Sequence, residues 1–126
     1  MSEFRSPRAR VIGRGAGGDG TGHFIAQRAS ALALLILAPW FALSAAFTIR
    51  SYTDALAFVR NDVNALGLIL LLIVGAAHMR LGMQTVIEDY IAAHGTRMAL
   101  LLLNVALCFG AALIGVWAVL RINFGW

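Results

Sequence analysis

The groups in this chain best suited to chemistry crowd into one stretch, His78-Met-Arg-Leu-Gly-Met-Gln-Thr-Val-Ile-Glu-Asp-Tyr90. It completes a segment that runs as unbroken apolar chain from Ala65 to Ala77. Ionisable groups are costly in lipid, so those inside such a segment mark a functional site by default. On a helix at about 100° per residue, with His78 at zero, Gly82 falls near 40°, Thr85 near −20° and Asp89 near 20°. Backwards from His78, Gly75 falls near 60° and Leu71 near 20° on the same scale. One narrow stripe thus carries His78, Thr85 and Asp89, with glycines three residues before and four after the histidine, whose missing side chains leave room for a flat ring or for a close neighbouring helix. Asp89 lies about 16 Å along the axis from His78. With Asp89 and Tyr90 at the membrane surface, His78 sits near the middle of a hydrocarbon core about 30 Å thick.

A mid-membrane histidine can ligate a haem iron, relay a proton, or simply hydrogen-bond a neighbouring helix, and the residues leave all three open. A low-spin b-type haem takes two axial ligands, and no second histidine falls at that depth. His23 and His94 both fall at the inner surface, so a haem on His78 needs its other ligand from another chain. Arg28, at the inner end of the first span, either snorkels to the surface and sets topology or pairs its guanidinium fork with a haem propionate. Asp89 and Tyr90 are either ordinary interfacial groups or a quinone site. In the second case the tyrosine hydroxyl donates to a quinone carbonyl and the acid protonates or orients nearby. Arg80 lies about 200° round from His78 and is expected to pair with another subunit or reach for the inner surface. Glu88 is expected to be solvated or bonded to a partner.

The elements that must position these groups are membrane spans. The chain has 126 residues, 60% hydrophobic and only 13% charged, with a mean hydropathy of +0.81. A soluble domain carries about 25% charge. The expected fold is an all-α membrane protein with three transmembrane helices, at about 27–48, 65–91 and 97–120. Residues 1–22 are expected to form a flexible basic arm and 23–126 a membrane domain, with no room for a separate soluble catalytic domain. All ten basic residues are arginine, and the +4 formal charge comes mostly from the arm. That pattern reads as topology rather than nucleic-acid binding. The polar opening does not suit a cleaved secretory signal, and the arm's glycines lack the strand and the Gly-Lys-Ser/Thr of a phosphate loop.

Pro39 should kink the first span or be accommodated by neighbours, and Trp40, deep in that span, should pack rather than anchor. Residues 50–64 read as a loop with an amphipathic look, suited to lying along the surface. Cys108 is the single cysteine and has no internal disulfide partner. In the third span, Ala106 with Gly110 and Ala111 with Gly115 permit close helix contact. Counting arginines by side sets the arm, Arg28 and Arg97 against Arg50, Arg60 and Arg121. The bias places the N-terminus inside and the C-terminus outside.

His78, Gly82 and Asp89-Tyr90 in the second of three spans resemble the small hydrophobic anchor of succinate dehydrogenase (succinate:quinone oxidoreductase, respiratory complex II). The opening Gly22-His23-Phe24-Ile25-Ala26-Gln27-Arg28-Ala29-Ser30-Ala31 resembles that family's first span. The resemblance covers roughly residues 20–120. It implies an anchor that catalyses nothing alone and works beside a second membrane anchor (the cytochrome b subunit), an iron-sulfur subunit and a flavoprotein subunit. It implies haem b shared with the second anchor and ubiquinone as bound substrate, in a bacterial inner membrane. The family's axial ligand falls on His78, its quinone-bonding tyrosine on Tyr90 preceded by Asp89, and its propionate-side arginine on Arg28. Glu88 and Arg80 depart from the residues many relatives carry there. The rival readings are a small proton-coupled transporter relaying through His78, Arg80 and Asp89, a structural subunit of another respiratory complex, and, closer, a fumarate reductase anchor.

Overall fold

The computed structural model describes residues 20–125, so the arginines of the arm (Arg5, Arg8, Arg10 and Arg14) and the terminal Trp126 lie outside the described residues. Four helices follow one another: α1 (Gly20–Thr48), α2 (Tyr52–Arg60), α3 (Asp62–Tyr90) and α4 (His94–Phe124). Three of them, α1, α3 and α4, are long and apolar enough to cross a membrane. At 29 residues, α3 is about 43 Å long, enough to pass the hydrocarbon and reach both interfaces. The chain is a multi-pass helical membrane protein. Large apolar side chains such as Leu35, Ile36 and Phe47 on α1 and Leu102, Phe109 and Ile114 on α4 are mostly exposed. In water that surface would be an unmanageable apolar patch, and lipid removes the penalty.

The helices alternate in direction. Ser30 meets His78, Gln27 lies against Gly82, and Leu34 against Gly75, so numbers rise on α1 as they fall on α3. Asn104 meets Arg80 and Gly115 meets Leu72 in the same antiparallel sense between α3 and α4. Among the described residues α3 packs against both other spans, while α1 and α4 make no contact with each other. The three spans form an open layer with α3 in the middle.

Pro39 sits inside α1 without ending it. Trp40 packs, as its depth predicts: its ring lies against Gly67 of α3 so closely that a Cβ there would overlap it. Of the small residues on α4, Gly115 touches Leu72 while Gly110 faces open space.

Residues 50–64 do not form the expected loop. A nine-residue helix, α2, fills most of the segment, and the amphipathic pattern is the reason. Phe58 is buried and meets Phe41 of α1 edge to face, with ring centroids 6.4 Å apart. The Ser51 hydroxyl caps α2 by accepting from the Asp54 N–H at 3.2 Å. The Asp54 carboxyl titrates below its usual range, held there first by the Ser51 side chain and then by the Arg50 N–H. Asn61 ends α2 and caps α3, its side chain accepting from the N–H groups of Val63 and Asn64. Asn123, near the end of α4, donates to the carbonyls of Val59 and Arg60 at 3.3 and 3.2 Å. Those carbonyls are left open by the end of α2, and the same amide donates to the Asp62 carboxylate at the start of α3 at 3.2 Å, so it ties three helices together. The fourth helix begins at His94, before the expected Arg97, and runs to Phe124, where Gly125 closes it in the left-handed conformation. Arg121 lies over the Trp117 ring at 5.3 Å.

Candidate functional site

The stripe on α3 faces α1. His78 is half-buried, and its Nδ1 lies 2.9 Å from the Ser30 hydroxyl oxygen. That hydroxyl also donates to the Gln27 carbonyl, one turn back on its own helix, at 3.0 Å. A Cβ on Gly82 would meet the Gln27 side-chain amide at 3.4 Å, and one on Gly75 would reach Leu34 at 4.0 Å. Of the two occupants the glycine spacing allows, a close neighbouring helix is the one this chain supplies on that face.

The α1 side of this interface is a polar stripe. His23, Gln27 and Ser30 recur at the four- and three-residue steps of one helix face. The His23 Nε2 and Gln27 Oε1 atoms are enclosed and have no hydrogen-bond partner among the described residues. Orphan polar atoms inside a membrane interface call for a water, a ligand or a partner group. Thr85, on the facing stripe, turns its hydroxyl back to the Leu81 carbonyl at 3.2 Å.

The other site residues sit apart from His78. Arg28 is exposed on α1, its guanidinium 5.1 Å over the Phe24 ring. It lies about 200° round from Ser30 on the same helix, so the fold does not bring it against His78 within this chain. Asp89 and Tyr90 are exposed at the end of α3, and Tyr90 is 82% accessible. Tyr90 opens onto an apolar groove of about 430 Å³ between α3 and α4, which Met83, Leu103, Asn104 and Cys108 help to line. Glu88 accepts from Gln84 at 2.9 Å, one turn away.

Arg80 is half-buried on a second α3–α4 groove of about 570 Å³ and has no acidic partner among the described residues. Its carbonyl accepts from buried Asn104 at 2.9 Å, and Asn104 in turn accepts from the Cys108 thiol at 3.4 Å. Among the described residues no group of three or more His, Cys, Asp or Glu side chains is placed to hold a metal ion. Sequence reasoning does not single out Ser30, Gln27 or Asn104. Ser30 and Gln27 share a helix face with His23, a visible signal, but its meaning depends on which helix that face meets.

Fold and site together define a class: a three-span helical membrane protein with a half-buried mid-span histidine hydrogen-bonded from the neighbouring span. The profile of the succinate dehydrogenase/fumarate reductase transmembrane subunit family matches residues 2–118, and the chain belongs to that family. It is 33% identical to the succinate dehydrogenase hydrophobic membrane anchor subunit of Paracoccus denitrificans over 123 residues, 97% of this chain and 95% of the relative. It is 27% identical to the protein of that name from Rickettsia bellii, over 79% of this chain and 81% of the relative. The corresponding protein of Rickettsia conorii is 23% identical, over 84% of this chain and 86% of its own length. No solved structure matches the chain.

Proposed function

We propose that this chain is the small hydrophobic anchor of a bacterial succinate:quinone oxidoreductase. It holds a flavoprotein and an iron-sulfur subunit at the inner membrane and forms a haem b and ubiquinone pocket with a second anchor, the cytochrome b subunit. The observation that carries the reading is the family match across residues 2–118. The open three-span layer supports it, because exposed apolar faces on α1 and α4 leave surface for lipid and for another membrane subunit.

The residues present fit a haem in their donor chemistry. His78 has Nδ1 occupied by Ser30, which leaves Nε2 as the ring's second coordinating atom. A bound haem would supply a one-electron redox centre between the iron-sulfur subunit and the quinone. His78 would hold one axial position from α3, with the second ligand coming from the other anchor. Arg28, exposed on α1 eight residues after the helix begins at Gly20, would set its guanidinium against the propionate carboxylates. Tyr90 would donate its hydroxyl proton in a hydrogen bond to a quinone carbonyl oxygen. Asp89, its exposed neighbour, would orient that contact and pass protons from water to the reduced quinone.

The test is a reduced-minus-oxidised optical spectrum of the purified membrane complex, wild type beside His78→Ala. The b-type signal is expected to be lost or strongly shifted in the variant. A signal unchanged by the substitution places the ligand elsewhere and removes the haem part of the reading. The fumarate reductase alternative shares the family description, and the direction of turnover with a low-potential against a high-potential quinone separates the two.

A further inference from the structure

The Ser30–His78 contact has a consequence for which ring nitrogen of His78 carries the proton. A serine hydroxyl has one proton and two lone pairs. Ser30 Oγ lies 3.0 Å from the Gln27 carbonyl oxygen, which can only accept, and 2.9 Å from His78 Nδ1. If the serine proton pointed at Nδ1, its oxygen would face the Gln27 carbonyl oxygen with no proton between them. One arrangement satisfies both contacts: Ser30 donates to Gln27, and His78 donates its Nδ1–H to Ser30. The proton is then on Nδ1, and Nε2 keeps its lone pair.

We propose that Ser30 is a positioning residue that holds His78 as the Nδ1–H tautomer and aims the Nε2 lone pair at the axial position of a haem iron. The proposal rests on the reading of His78 as an axial ligand. Metal-bound histidines characteristically donate their other ring N–H to an outer partner, which fixes the tautomer and ring orientation and raises the basicity of the ligating nitrogen. Here that partner comes from a different span, so the α1–α3 contact itself sets the imidazole plane. The Gln27 carbonyl orders the hydroxyl from behind. In lipid, an Nδ1–H that loses Ser30 must turn to another acceptor or go unpaired, and either outcome changes the ring's orientation or its basicity.

The experiment compares wild type with Ser30→Ala, Ser30→Thr, Ser30→Val and His78→Ala in the purified membrane complex. The readouts are haem content, the haem midpoint potential and the ferric haem EPR spectrum. Alanine is a good helix former, and the Gln27 carbonyl keeps its helical N–H donor, so Ser30→Ala should assemble. Its haem should bind about tenfold more weakly, the lower end of the range for losing such a partner. A less basic Nε2 favours ferric iron less, so the potential should rise. A tenfold change in the ferric-over-ferrous preference corresponds to about 59 mV for one electron.

Threonine restores the hydroxyl and should return the potential and EPR spectrum to wild type. Valine, of nearly the same shape without the hydroxyl, should behave as alanine. The proposal is overturned if Ser30→Ala matches wild type in potential and EPR while His78→Ala loses the haem signal. That result leaves the axial role of His78 standing. It is also overturned if Thr and Val behave alike, because the effect is then packing. A haem signal that survives His78→Ala overturns the axial reading itself, and the role of Ser30 falls with it.

Discussion

The two faces of α3 are built differently. Toward α4 the contact is the more deeply buried one, despite its two grooves: Ile87 and Cys108 are buried, Gly115 receives Leu72, and the polar Asn104 is buried with its amide on the Arg80 carbonyl. Toward α1 the contact is looser and more polar. No residue of α1 is buried, and its facing stripe holds His23, Gln27 and Ser30 with two orphan polar atoms. Membrane helices gain little from apolar contact alone, since lipid is as apolar as they are, and they associate through close packing and hydrogen bonds. The α4 face uses both devices within the chain. The α1 face leaves polar capacity unused, as a surface does when its remaining ligands come from outside the chain. The ring of His78 lies on that unfinished face.

Function and structure should therefore separate on substitution. The largest effect expected is at Tyr90, which opens on the α4-side groove, away from the histidine face. Tyr90→Phe removes the hydroxyl and should lower succinate-to-quinone turnover by about 10²-fold, the low end for loss of a positioned proton donor. Succinate oxidation by an artificial dye and the haem spectrum should stay at wild-type levels. If dye reduction falls in parallel, Tyr90 has no specific quinone role and the division between the two faces loses its functional half.

Gly67→Ala sharpens the comparison from the other side. The added methyl would overlap the Trp40 ring, so the ring must shift and press α1 away from α3, at about 1–3 kcal/mol, the usual cost of overpacking. Thermal unfolding of the detergent-solubilised complex should shift down, and the haem spectrum should change with it, because the displaced helix carries Ser30. Stability lost without any spectral change would show that the α1 contact does not govern the histidine.

The smallest effect expected is at Asn104→Leu. It removes the amide that bonds to the Arg80 carbonyl and should cost about 0.6 kcal/mol, rarely above about 1.7, as interhelical hydrogen bonds in membranes do. Haem spectrum and quinone turnover should be untouched. A changed spectrum would mean that the α4 face also shapes the site and that the two faces are not independent.

Much of this protein was legible in its residues because lipid imposes simple demands. Every backbone group must be satisfied within its own segment, so long apolar runs must be helices. The three spans, the packing of Trp40 and the stripe linking His78 with Gly82 and Asp89 all follow from composition and a 3.6-residue period. The ends were less legible. α4 starts at His94 rather than Arg97, and α2 replaces an expected loop, because Phe58 and Asn123 supply tertiary partners that make a short helix worth forming.

Read alone, the residues specify a three-span helical membrane protein with His78 near the middle of a span and Asp89 and Tyr90 at its end. Those properties depend on hydropathy and on position along one helix. Packing between the spans settles which helix His78 faces, that Ser30 is its partner, and that α1 itself covers Gly82. It also decided that Arg28 stands away from the ring. Periodicity places residues on a face of their own helix but carries no information about the rotation of the next helix. That rotation follows from where Trp40 meets Gly67 and where the polar groups of α1 find partners on α3.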